Sequence, residues 1–303
     1  MSSICGITVA FPGAKRPLEE GKKLGFWDLV IIDESGIKIP PADIYIFGAW
    51  HPAYEQIIGL APDSKIGVLW TSSPGEMDFV SVEQEYLRKI LNDPRIDFVW
   101  FGHPVFGRLY PEKGFYAPYP IKVEGVKKPN VRKENIITLM CPADPKKNIL
   151  NQLLAVKMIY EETDIVLHTN VAGYDYLLNP HMIGGLDCVR HSWLPDEDYH
   201  KLLTKARLNL ACSWAETFNY NVAEAALMGT ISIVSPTIPI PGIICKDVSN
   251  PVYIVEKIKE CINTDYKEEV LKDAIHYLKF TSYEAALKLS EALNVKLPMP
   301  PAP

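Results

Sequence analysis

Glu216 and Glu224 are two carboxylates with seven residues between them, set on either side of an expected helix start in the run SWAETFNYNVAEAALMGTISIVS, residues 213–235. The first N–H groups of a helix have no partner inside it, and the helix dipole favours negative charge there. The amides of Thr217, Phe218, Asn219 and Tyr220 would therefore suit an anion, typically a phosphate. Carboxylates beside such an anion site make chemical sense if they grip hydroxyls, and those of a sugar or a ribose fit. Taken singly, Glu216 reads as a helix-start acid and Glu224 as a solvated face residue.

The elements that would position these groups follow one another without slack. Residues 207–212 form a short apolar strand, 213–218 a polar turn, and 219–228 a helix rich in Ala, Val and Leu that Gly229 stops. Residues 230–234 make a second, β-branched strand. Strand, turn, helix and strand in that order are the building block of a parallel sheet.

This stretch resembles the E-x7-E signature of retaining GT-B glycosyltransferases of group 1, the type of glycogen synthases and of bacterial and archaeal mannosyl- and glucosyltransferases. Its form there is roughly S-x-x-E-x-F-G-x-x-x-x-E-A-x-x-x-G-x-P-V-V. Ser213, Glu216, Phe218, Glu224, Ala225 and Gly229 match in place, while Asn219 replaces the usual Gly and Ile231 stands where Pro is common. The resemblance implies an α/β fold of two Rossmann-like domains facing each other across a cleft, with a C-terminal helix crossing back. It implies hexosyl transfer from a UDP- or GDP-sugar with retention of configuration, no metal and no cofactor. Glu216 would then be catalytic, Glu224 would hold ribose hydroxyls, and Thr217, Phe218, Asn219 and Tyr220 would hold donor phosphate.

Composition fits such a protein. A chain of 303 residues suits two domains better than one core. Its net charge of −6 argues against nucleic acid as partner, which demands a basic face. No apolar run approaches the roughly 20 residues that span a bilayer, and the start carries no signal-peptide pattern. The six cysteines are scattered without a C-x-x-C, as expected of reduced thiols, so a cytoplasmic protein is expected.

The first half alternates strands at 4–10, 28–32, 43–47, 66–70 and 97–101 with helical spacing at 51–60 and 82–91. In such sheets ligands bind beyond the carboxyl ends of strands. His51 and His103 follow strands there, each before a proline, and either could equally cap a helix. Where relatives carry a sugar-contacting histidine this chain has Trp70. His51, Trp70 and His103 are thus the acceptor-side or sugar candidates.

Residues 122–133 read as a basic linker. Beyond it, 135–140 is a strand and 145–160 a helix with Asp144 as cap. PADPKKNILNQLLAVKMI, residues 142–159, resembles the family's diphosphate-binding helix start, with Lys147 on the lysine position and Cys141 or Pro142 where an arginine is usual. A lysine near a helix start opposes the dipole unless it holds an anion. In VRHSWLPDEDYHKLL, residues 189–203, His191 and Trp193 stand where a nucleobase rests in the family. Asp196, Glu197 and Asp198 read as first-turn acids and not as a metal motif. Helices are expected at 251–263, 268–280 and 283–293.

The expected organisation is an acceptor-side domain at 1–125, a nucleotide-sugar domain at 134–280, a returning helix at 281–295 and a disordered tail at 296–303. The acceptor, whether saccharide, lipid or small molecule, is left open. Two other readings remain: a non-catalytic GT-B binding or scaffold domain, and a nucleotide-sugar epimerase on the same fold.

Overall fold

The computed structural model describes residues 3–9, 12–32, 39–77, 81–125, 131–141, 144–160, 162–170, 186, 188–263 and 267–303. The chain divides into two compact units, residues 1–122 with 278–303, and residues 123–277.

The first unit is built on six parallel strands: β1 Ile4–Val9, β2 Asp28–Ile32, β3 Ile44–Gly48, β4 Lys65–Trp70, β5 Phe98–Phe101 and β6 Gly114–Tyr116. Their order is β2-β1-β3-β4-β5-β6. The central strands are apolar at nearly every position, as burial on both faces requires. Helices α1 Pro12–Lys23, α2 Tyr54–Leu60, α3 Pro74–Met77, α4 Ser81–Asn92 and α5 Pro104–Leu109 connect or flank them. Ile7, Phe47, Tyr54, Ile57, Val68, Trp70 and Phe101 share one core cluster. At Gly21, within α1, a Cβ atom would fall 2.0 Å from the Trp27 ring, so only glycine lets that indole lie across the helix. The Trp27 Nε1–H donates to Leu18 O at 2.9 Å and fixes the contact.

The second unit carries β7 Ile136–Leu139, β8 Val166–Thr169, β9 Cys188–Arg190, β10 Leu208–Ala211, β11 Ile231–Val234 and β12 Ile243–Ile244. These are parallel in the order β12-β11-β10-β7-β8-β9. Read from the far edge this is the 3-2-1-4-5-6 order of a doubly wound sheet, whose direction of winding reverses between β7 and β10. Among the described residues, helices α6 Ile149–Tyr160, α7 Asp196–Lys205, α8 Tyr220–Leu227 and α9 Pro251–Asn263 belong to this unit. Asp196, Glu197 and Asp198 occupy the first turn of α7. A buried polar row crosses the sheet at one level: Thr138 Oγ1 donates to Asn209 Oδ1 at 3.1 Å, and Asn209 Nδ2 donates to Ser232 Oγ at 2.9 Å.

Four expectations change. The helix expected over 145–160 is broken: Pro145–Lys147 is a 3-10 turn capped by Asp144, Asn148 is left-handed at φ 53°, and the α-helix begins at Ile149. The helices expected at 268–280 and 283–293 are one, α10 Lys267–Leu293. It contains no glycine or proline, and the Ser282 hydroxyl, 3.1 Å from Leu278 O in the preceding turn, donates to Ile121 O at 2.6 Å. That same hydroxyl accepts the Ile121 N–H at 2.9 Å, which binds this part of α10 into the first unit. The tail expected to be disordered is placed against the first unit, with Leu297 and Pro300 buried and Leu297 N–H donating to Ser290 Oγ at 3.2 Å. Lys133, read as a solvated linker charge, donates instead to Thr204 O at 2.8 Å and Thr230 Oγ1 at 2.6 Å; residues 126–130 of that linker lie outside the described residues.

Candidate functional site

The winding reversal of the second sheet places two chain segments side by side: 144–148, after β7, and 212–219, leaving β10. Polar side chains fasten them together. The Asn148 amide donates to Cys212 O at 3.0 Å and to Val248 O at 2.6 Å. Gln152, on the first turn of α6, accepts the Cys212 N–H at 2.9 Å and donates to Lys147 O at 2.7 Å. Trp214 N–H donates to Lys146 O at 2.7 Å. Each bond satisfies backbone that the loops would otherwise bury unpaired.

The result is a short ion pair. Lys147 Nζ stands 2.6 Å from Glu216 Oε1, with the two side chains only 13% and 3% exposed. Asn219 Nδ2 donates to the same Glu216 oxygen at 3.0 Å. Its Oδ1 accepts the Val222 N–H at 3.1 Å, which makes Asn219 the N-cap of α8. The amide can face only this way: reversed, its oxygen would meet the carboxylate and its NH2 the Val222 N–H. Cys141, expected at the position of a family arginine, lies close by. Its thiol is pushed up to about 12, first by burial, with Lys147 opposing and Glu216 and Asp144 adding to the rise. It is a neutral thiol at pH 7 and supplies no charge. Pro142, the other candidate for that position, lies outside the described residues.

Glu224 is buried one and a half turns into α8, with Oε1 3.5 Å from His200 Nε2 on α7. Thr217 is buried, and Phe218 and Tyr220 are half-buried with rings edge to face at 4.8 Å. His191 lies just past β9, its N–H on Thr169 O at 2.8 Å and its Nε2 2.9 Å from His168 Nδ1. Desolvation holds both imidazoles below their ordinary range, so the pair is neutral at pH 7. Trp193, beyond it, is 70% exposed.

The acceptor-side candidates all fall at the carboxyl edge of the first sheet, His51 after β3, Trp70 as the last residue of β4 and His103 after β5. His51 is exposed and its Nδ1 accepts the Ala53 N–H at 3.2 Å. His103 is the N-cap of α5, accepting from Val105 N–H at 3.3 Å. Trp70 is buried in the core, with no hydrogen-bond partner for its Nε1.

The structure thus brings Lys147, Glu216 and Asn219 into direct contact. Glu224 lies in the helix that Asn219 caps but meets His200, a residue the sequence reading did not single out. Asn148 and Gln152 were also missed. The signal for Asn148 was its type, since Asn is among the few residues at ease in the left-handed region. Among the described residues no cluster of three His, Cys, Asp or Glu side chains is placed to hold a metal ion.

No protein-family model matches the chain, and no curated protein matches it by sequence. Solved structures do match by shape. TarM from S. aureus, in complex with fondaparinux, α-GlcNAc-glycerol and UDP, superposes with a TM-score of 0.66 at 14% identity, over 83% of this chain and 54% of that one. The chain therefore spans about half the length of TarM. The N-terminal domain of Candida albicans trehalose-6-phosphate phosphatase gives 0.66 at 11% identity, over 97% of both chains. A UDP-forming α,α-trehalose-phosphate synthase from Burkholderia xenovorans, in complex with glucose-6-phosphate, gives 0.63 at 10% identity, over 83% and 73%. Two α/β units, each on a parallel sheet, with these neighbours, define the fold as that of the GT-B glycosyltransferases.

Proposed function

We propose that the chain transfers a hexose from a UDP- or GDP-sugar to a saccharide, lipid or small-molecule acceptor, with retention of configuration and without a metal. The observation that carries this reading is the Lys147–Glu216 pair at the winding reversal of the second sheet, where α/β folds bind ligands. As the glycosidic bond breaks, negative charge grows on the leaving diphosphate and positive character on the sugar ring. Lys147, with the main chain at the start of α8, is suited to the first. Glu216 is suited to the second. Stabilisation aimed at charge where it develops is the largest single term in most enzymes. Glu224 is the candidate for ribose hydroxyls and His191 for the base. His51, Trp70 and His103 are candidates for the sugar and acceptor.

A second reading is a GT-B domain that binds without catalysis. It is favoured by Lys147 being already neutralised by Glu216, and by the end-to-end likeness to a domain of a protein named as a phosphatase. Calorimetry with UDP and GDP, followed by product analysis with the matching sugars, separates the two. UDP or GDP binding that is unchanged by EDTA is expected; strict dependence on manganese or magnesium would refute the metal-free reading. Binding with no turnover of any donor would favour the second reading. Lys147→Ala should weaken diphosphate binding about tenfold or more through loss of a charge-assisted contact, with nucleoside binding little changed. Equal losses for both ligands would place Lys147 away from phosphate.

A further inference from the structure

Asn219 stands where the resembling family has glycine, and glycine offers no side chain to hold anything. Here the side chain makes two bonds in opposite senses, accepting from Val222 N–H and donating to Glu216. The cap alone does not need an amide. Asp and Ser cap helices as well as Asn does. Only an amide caps and donates at once, because Asp would set a second carboxylate against Glu216, and a Ser hydroxyl engaged at the cap is too short to reach it.

We infer that Asn219 is a positioning residue that holds Glu216 on Lys147, so that the resting site is a latch which an incoming anion must open. This rests on the reading of Lys147 as a phosphate-binding residue. Lys147 and Glu216 neutralise each other in a nearly dry setting, where an uncompensated charge is costly. An entering diphosphate competes with Glu216 for Lys147 and takes over its charge-assisted contact. Asn219, bonded to both Glu216 and the first turn of α8, keeps the carboxylate in place once Lys147 has moved to the ligand. The latch is thus selective for ligands that bring their own anion: a neutral sugar alone cannot open it.

The experiment needs no identified donor. Lys147 acylation by acetic anhydride, followed by peptide mass spectrometry, reports directly whether the amine is held. Asn219→Ser keeps a capping oxygen and should melt within a few degrees of the wild type, which separates positioning from capping. Lys147 labelling should rise severalfold in Asn219→Ser and about tenfold in Glu216→Gln, the size expected when a charge-assisted contact is lost. The other lysines should be unchanged. Inorganic pyrophosphate should bind Glu216→Gln more tightly than wild type, by up to a similar factor. Unchanged labelling in both Asn219→Ser and Glu216→Gln would overturn the latch. Raised labelling without pyrophosphate binding in any form would leave the latch standing and refute the phosphate reading.

Discussion

Glu216→Gln lowers turnover on the order of a hundredfold while donor binding is held or improved, the loss expected when a group acting on transition-state charge is removed. Two features of the structure give this split its direction. Gln keeps the shape of Glu216, and its amide oxygen can still accept from Asn219. It no longer neutralises Lys147, so the lysine is more available to a diphosphate. The companion change behaves in the opposite way. Glu224→Gln, inside α8, should raise the donor dissociation constant and leave the chemical step nearly intact, as loss of uniform binding does. Turnover and donor dissociation constant, measured for both variants on protein shown to be folded, decide the matter. Should both merely melt earlier and keep full activity, these carboxylates are structural and the site assignment fails.

Asn148→Ala is expected to destabilise the second unit by about 3 to 8 kcal/mol, lowering its melting temperature by roughly 10 °C or more. Three effects add. Cys212 O and Val248 O lose their donor inside the protein, at about 1 to 3 kcal/mol for each orphaned group. Alanine also pays roughly 1 to 2 kcal/mol for a left-handed conformation. Asn148→Gly separates the terms, since glycine accepts φ 53° and loses only the bonds. Thermal or urea unfolding of the pair gives the difference. If Ala and Gly are equally mild, the Asn148 amide does not hold the two loops together.

The ease with which the chain could be read follows the range of its interactions. Residues 207–235 announce themselves because strand, turn and helix there are written in local pattern, and the structure returns β10, α8 with Asn219 as cap, and β11 nearly in place. Asn148 was not legible. Asp144, Pro145 and the apolar run after it look like one capped helix, and the break depends on two carbonyls supplied by residues 212 and 248. Helix α1 was passed over for the opposite reason. Its own sequence, with Pro17 and Gly21 inside, disfavours a helix, and packing against Trp27 overrides that preference. The Lys147–Glu216 contact lay beyond reach for a simpler reason: spacing can nominate a cation and a carboxylate for one ligand, but not show that they meet each other first.

The course of α10 from one unit into the other bears on the order in which the protein can be made. The second unit is a single uninterrupted stretch, residues 123–277, and has all its parts once that stretch has left the ribosome. The first unit does not: its first 122 residues wait for residues 278–303, including the Ser282 that binds Ile121. At about 5 to 20 residues per second, that wait lasts roughly 10 to 35 s. During it the first unit lacks the partner of Ile121 and the rest of its C-terminal segment. The part synthesised first is therefore the part completed last, and a released chain truncated after residue 277 should show a protease-resistant second unit and a protease-sensitive first one.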